Sequence, residues 1–382
     1  MLNIISKIIG PAAIGILLAS SNIESTHARS YQQPETVTPQ IDVVIALDVS
    51  GSMAGLIESA KQRLWDIVNE IGRAQPQPEL RLAILSYGRP SYGVETGYVK
   101  IDLPFTSNLD AVNETLFRFG TDGGDEYVAR AVTTSINDLS WSNNPDALRI
   151  LFVAGNEAAT QDPQITLQQA TRFAANAGII VNTIYCGSDN DSITTGWREF
   201  AALTNGLYAS IDQNTAAVAN IATPMDDELA QLNQDLNDTY LAYGTGGSRY
   251  RQNQLEQDEN ARAMSSSAMA SRVVTKAGRL YDSSDWDLID AISSGKPLEE
   301  VAAEDLPEAM QSMSAKEREV FVSEQSKKRE EIQARISKLD DERRDFIDRE
   351  RSLRIQAEGK GLDEVLQNGL RTLAEQKGFT FE

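Results

Sequence analysis

The sequence predicts a doubly wound α/β fold, a mostly parallel sheet with helices on both faces, followed by an α-helical C-terminal region. Three observations predict it. From Ile41 to about Ile211 short β-branched runs alternate with stretches of helical period. The central runs are apolar at consecutive positions, as strands buried on both faces require. After Asn214 the strand signal disappears and the pattern turns helical.

Taken in order, Met1 to Ser20 carries Lys7 and the apolar run Ile8 to Ala19, shorter than the roughly 20 residues of a spanning helix. It reads as a secretory signal over 1–28, with Thr26 at minus three and cleavage after Ala28; the other reading is an uncleaved membrane anchor, the only route to membrane contact. A polar arm over 29–40 leads into the α/β domain, 41–212. Strands are expected at Ile41–Leu47, Leu80–Tyr87, Leu148–Ala154, Ile179–Tyr185 and Leu207–Ile211, with an edge-like one at Tyr98–Leu103. Helices are expected at Met53–Ala74, Leu109–Phe119, Tyr127–Leu139, Gln164–Ala177 and Gly196–Leu203.

A helical region over 213–314 follows. Asp226–Tyr240 reads as a helix, Gly244–Ser248 as a flexible break, and Gln252–Lys276 as one Ala/Ser/Met-rich helix whose Met264 and Met269 are packing filler. Asp282, Asp285, Asp287 and Asp290 read as a solvated acidic helix start. Charged amphipathic helices fill 315–382. There Ile332, Ile336, Leu339, Phe346 and Leu353 form a heptad-like stripe, with Arg343 and Glu350 as charged interruptions. The stripe suits an amphipathic helix packed on its own protein or on a helical partner better than a coiled coil.

The chain of 382 residues has 35 Lys+Arg against 56 Asp+Glu, a formal charge of −21, which repels phosphate backbones and makes nucleic acid a poor candidate for the main partner. Divalent cations suit it better. His27 is the only histidine and Cys186 the only cysteine. Loss of the signal would leave no imidazole for triads, Cys-His pairs or Cys/His zinc sites. Cys186 reads as a small buried hydrophobe at a strand end.

The segment that carries chemistry is Ile41-Asp42-Val43-Val44-Ile45-Ala46-Leu47-Asp48-Val49-Ser50-Gly51-Ser52-Met53, an apolar strand running into a carboxylate and two hydroxyls ahead of a helix. The sharp strand-to-helix turn lets Asp48, Ser50 and Ser52 aim oxygens at one point, and hard cations such as Mg²⁺ take oxygen ligands while keeping open positions. As a bare pattern Asp-x-Ser-x-Ser is common in turns. In this placement it resembles the metal-ion-dependent adhesion site (MIDAS) of the von Willebrand factor A (vWA) domain family, over about Ile41 to Asp212. Val181–Gly187, Gly196-Trp197 and Ile211–Gln213 are also similar to an uncharacterised secreted bacterial subgroup.

The resemblance implies that Ser50 and Ser52 coordinate a cation directly and Asp48 directly or through water, with Mg²⁺ expected and Mn²⁺ or Ca²⁺ as alternatives. A second loop, Gly120-Thr121-Asp122-Gly123-Gly124-Asp125-Glu126, supplies Asp125 as first choice of further ligand and Thr121 as second. Asp125 also reads as a helix cap. Where the family places an aspartate after the central strand, this chain has Gly155, followed by Asn156 and Glu157 as substitutes or as an ordinary turn.

The functional expectation is a non-enzymatic binding module, periplasmic or secreted, that uses a divalent cation to engage an acidic residue of another protein. The alternative is an envelope scaffold with a degenerate metal site. A hydrolase built on paired carboxylates is the weakest reading, because no segment announces such a pair.

Overall fold

The computed structural model describes residues 38–210, 221–358 and 362–381. The expected signal segment and the arm up to residue 37 lie outside the described residues, as does Ile211, the expected end of the last strand.

The α/β part comprises β1 (Gln40–Asp48), α1 (Ala54–Gly72), β2 (Ala74–Gln75), β3 (Glu79–Tyr87), β4 (Val99–Thr106), α2 (Leu109–Phe117), α3 (Val128–Asp138), β5 (Leu148–Gly155), α4 (Leu167–Ala177), β6 (Ile180–Tyr185), α5 (Thr194–Leu203) and β7 (Tyr208–Ser210). Six strands form one sheet in the order β4-β3-β1-β5-β6-β7, parallel except that β4 runs antiparallel to β3. β1 is central. Along it Ile41, Val43 and Leu47 enter one hydrophobic core, while Val44 and Ala46 enter the core on the opposite face. That alternation of cores explains the unbroken apolar run, since each fully buried Ile, Val or Leu side chain contributes about 1.5–3 kcal/mol. The edge character expected for β4 has a cause too: Pro104 cannot donate to a ladder, and the register with β3 shifts beside it.

The chain leaves β1 toward β3 on one side, and β5 joins β1 on the other, so the carboxyl end of β1 is the topological switch point where ligands bind in open α/β sheets. Asp48 is its last residue.

The helical region comprises α6 (Asp226–Asn237), α7 (Gly247–Met264), α8 (Ser266–Ala277), α9 (Leu288–Ser293), α10 (Glu308–Gln311), α11 (Ala315–Glu358) and α12 (Leu362–Glu375), with β8 (Thr380–Phe381) pairing antiparallel to β2. Leu229, Leu232, Leu236, Met269, Val273, Ile332, Ile336, Leu339 and Leu370 share one core with Leu64, Trp65 and Val68 of α1 and Val112 and Leu116 of α2. The helices therefore cover the α1/α2 face of the sheet.

Two expectations are corrected here. Gln252–Lys276 is two helices, because Ser265 is extended (φ −172°, ψ 160°) and its hydroxyl accepts from Ala268 N, starting α8 afresh. Asp287 is not solvated: it is fully buried, caps α9, accepts from Leu241 N and pairs with Arg329 of α11. Arg343, a charged interruption of the stripe as expected, is a buried cation paired with Asp226. From Ile332 to Arg343 the stripe packs on the protein's own helices, while Leu353 is exposed. Met269 is core filler as expected, and Cys186 lies in the core.

Candidate metal centre

The site begins where β1 stops. Asp48 is fully buried and its Oδ1 accepts from Ser50 N at 2.7 Å, which folds the chain back so that Ser50 and Ser52 follow on one side. Their hydroxyl oxygens are 3.4 Å apart. From the end of β5, Asn156 Nδ2 donates to Ser52 Oγ at 2.7 Å. The strand-to-helix turn thus converges Asp48, Ser50 and Ser52 as the spacing predicts, and β5 adds Asn156.

The loop between α2 and α3 supplies more than its sequence reveals. Asp122 N bonds to Val49 O at 3.0 Å, pinning the loop to the turn. Thr121, Asp122 and Asp125 are exposed, whereas Glu126 is buried. Asp125 does not cap α3, whose N-cap is Tyr127 and has no side-chain cap bond. Glu126 was not singled out by sequence, because neighbouring acids in a Gly-rich loop look alike. The one available signal was its place two residues before the buried Val128 face of α3.

Two glycines make room. Gly88 has φ +89°, and a Cβ there would lie 2.9 Å from Asp48 Oδ1, 3.2 Å from Glu126 Cγ and 3.5 Å from Ser50 Cβ, so these three side chains surround one point. A Cβ at Gly124 would lie 2.5 Å from Gly88 O. Gly124 therefore serves the loop's close approach to the chain after β3.

Burial is the main force on the two acids. It pushes the Asp48 carboxyl up to about 6, opposed by the Ser50 N–H, the Ser50 side chain and the Asn156 N–H, and aided by the charge of Glu157. Burial, then the charge of Asp48, pushes Glu126 up to about 7, while a hydrogen bond with Ser50 pulls it down.

The donor set suits a hard divalent cation. Asp48 Oδ2, Glu126 Oε2 and Asn156 Oδ1 are buried acceptors with no hydrogen-bond partner, and such oxygens are costly unless a donor or a cation meets them. Among the described residues no group of three or more His, Cys, Asp and Glu side chains is placed to hold a metal ion. The set combines two carboxylates with hydroxyl and amide oxygens, donors that a divalent cation takes.

Strand order, antiparallel edge strand and flanking helices make the fold vWA-like. No protein-family model and no curated protein sequence matches the chain. Among solved structures, proximal thread matrix protein 1 from the mussel byssus aligns over 47% of this chain and 43% of its own, at 9% identity and a TM-score of 0.37. A second structure of that protein, with a zinc-occupied MIDAS motif, aligns over 46% and 43%, again at 9% identity and 0.37. The SpRpn10 VWA domain aligns over 45% of this chain and 88% of its own, at 11% identity and 0.34. The chain thus spans less than half the length of the mussel protein.

Proposed function

We propose that this protein is an exported, non-enzymatic protein-binding module that holds a divalent cation, Mg²⁺ first and Mn²⁺ or Ca²⁺ as alternatives, at Asp48, Ser50 and Ser52. The observation that carries the reading is the group of unpartnered buried acceptor oxygens, Asp48 Oδ2 and Asn156 Oδ1 among them, beside two serine hydroxyls at the sheet's switch point. When bound, the cation supplies an electropositive centre able to take an acidic side chain of another protein. The chain's own groups orient it: Asn156 fixes Ser52, the Ser50 N–H fixes Asp48, and burial keeps water from the oxygens of Asp48 and Ser50. Thr121 and Asp125, the further ligands expected from the sequence, are exposed on the adjoining loop. The helical region docks the module onto its assembly.

Thermal unfolding with millimolar Mg²⁺, Mn²⁺ or Ca²⁺ tests the cation, since a ligand bound only by the native state must stabilise it. The expected rise in Tm disappears in the Asp48→Ala, Ser50→Ala double variant, together with divalent-dependent capture of protein partners. Capture that is unchanged in chelator rejects the mechanism.

A second reading, an envelope scaffold with a degenerate site, draws on Gly155: a Cβ there would lie 2.5 Å from Tyr87 Oη, leaving no space for the family's aspartate. Absence of any Tm shift with all three ions favours that reading.

A further inference from the structure

Glu126 is 8% exposed on a loop whose other acids face solvent. A buried carboxylate ordinarily caps a helix, pairs with a cation or binds a ligand. It caps nothing: α3 has no side-chain cap, and Val128 N bonds to the main-chain oxygen of Glu126 instead. Among the described residues it forms no ion pair, and Oε2 has no hydrogen-bond partner. What it faces is Asp48 and Ser50, gathered with it around the point over Gly88. Two acids brought together out of water repel each other unless one of them takes up a proton or a positive charge lies between them.

We propose that Glu126 is itself a protein ligand of the cation, an inference that rests on the assignment of that cation to Asp48, Ser50 and Ser52. It supplies from the α2–α3 loop the second carboxylate that Gly155 cannot supply from β5. Two consequences follow. Asp48 and Glu126 together neutralise a dication, and the exposed Asp122, Asp125 and Glu157 leave the rim negative. An acidic side chain from a partner therefore competes with Glu126 for the ion, so Glu126 acts as an internal stand-in for the partner's carboxylate.

The test uses Mn²⁺ with the full chain, following affinity by calorimetry and inner-sphere water by proton relaxation enhancement per bound ion. Glu126→Ala and Glu126→Gln are expected to weaken Mn²⁺ binding by about tenfold or more. Glu126→Ala should also raise the relaxation enhancement by the equivalent of about one added inner-sphere water. Asp122→Asn, which removes a nearby exposed charge, should leave the enhancement per bound ion unchanged; circular dichroism confirms that each variant is folded. An unchanged enhancement in Glu126→Ala overturns the proposal even if affinity falls, because weaker binding alone reports only a distant charge. If the unaltered protein binds no Mn²⁺, the cation site itself is refuted and this ligand with it. If it binds Mn²⁺ and Glu126→Ala matches it, only the assignment of Glu126 fails.

Discussion

The hydroxyl of Tyr87 stands in the space that a side chain at Gly155 would enter. It donates to Ala154 O at 2.8 Å, and a Cβ on Gly155 would lie 2.5 Å from it, 3.2 Å from Trp197 and 3.3 Å from Asp48 Oδ2. The glycine at the end of β5 is therefore built into the packing: β3, on the far side of β1, fills the position with a buried phenol.

An acid at this position should consequently harm the protein. Gly155→Asp, and even Gly155→Ala, are expected to destabilise by about 1–3 kcal/mol through overpacking. Removing the obstructing oxygen with Tyr87→Phe should relieve part of the loss, giving a coupling of at least about 0.5–1 kcal/mol in a double-mutant cycle from urea unfolding. Strict additivity of the two substitutions would show that Tyr87 is not the obstacle.

A second prediction concerns the seam between sheet and helices. Arg272 of α8 is fully buried between Asp110 of α2, at 2.6 Å, and Asp258 of α7, at 3.0 Å, with its guanidinium 4.6 Å from the centre of the Trp65 ring. Arg272→Ala leaves the buried Asp110 without its cation and Asp258 with Lys276 alone, and should cost about 3–5 kcal/mol. Arg335→Ala, which removes an exposed pair with Glu228, should cost no more than about 1 kcal/mol. Urea unfolding of the two variants tests the contrast, and equal losses would mean that the buried cluster does not fasten the helices to α2.

Lys276 gives the protein an alkaline signature. Its buried ammonium faces Asp258 at 2.8 Å, Asn233 at 2.9 Å, Asn237 at 2.6 Å and the Tyr240 ring at 5.7 Å, with Arg272 and Asp110 also acting on it. Burial lowers its pKa to about 8, opposed by Asp258 and aided by Arg272. Between about pH 8 and the unfolded value near 10.4, the unfolded chain keeps a proton that the folded one has released, so this group makes stability rise with pH. The Tm of the native protein minus that of Lys276→Met should therefore grow from about pH 7.5 to about pH 10. A difference that is flat or falling over that range refutes the assignment.

The α/β layers were legible because their signal is one-dimensional. β1 is buried on both faces and reads as an unbroken apolar run, and Asp48, Ser50 and Ser52 are consecutive on one turn, so strand end and oxygen cluster are visible together. Glu126 was not legible: what separates it from Asp125 is the loop's descent onto Gly88, a contact between segments about 35 residues apart that no local pattern encodes. The break at Ser265 carried a readable cap, a serine three residues before Ala268, masked by the strong helix formers around it. Asp287 was misread for a different reason. Its partner, Arg329, comes from α11, and without that pairing an acid beside three others looks solvated.

Arg343 puts the same distinction to an experimental test. As a heptad position it looks like a defect that leucine would repair. In the structure its guanidinium donates to Asp226 Oδ1 at 3.1 Å, Ser267 O at 3.2 Å and Ser267 Oγ at 2.9 Å, and both Arg343 and Asp226 are buried. Arg343→Leu therefore adds apolar contact but leaves a buried carboxylate without its cation and a carbonyl without its donor, and should destabilise by about 1–3 kcal/mol. Glu350→Leu, at the half-buried interruption one heptad later, should stay within about 0.5 kcal/mol of the native protein. If a hydrophobic seam rather than the ion pair held α11, both leucines would raise the urea midpoint, and Arg343→Leu would raise it more.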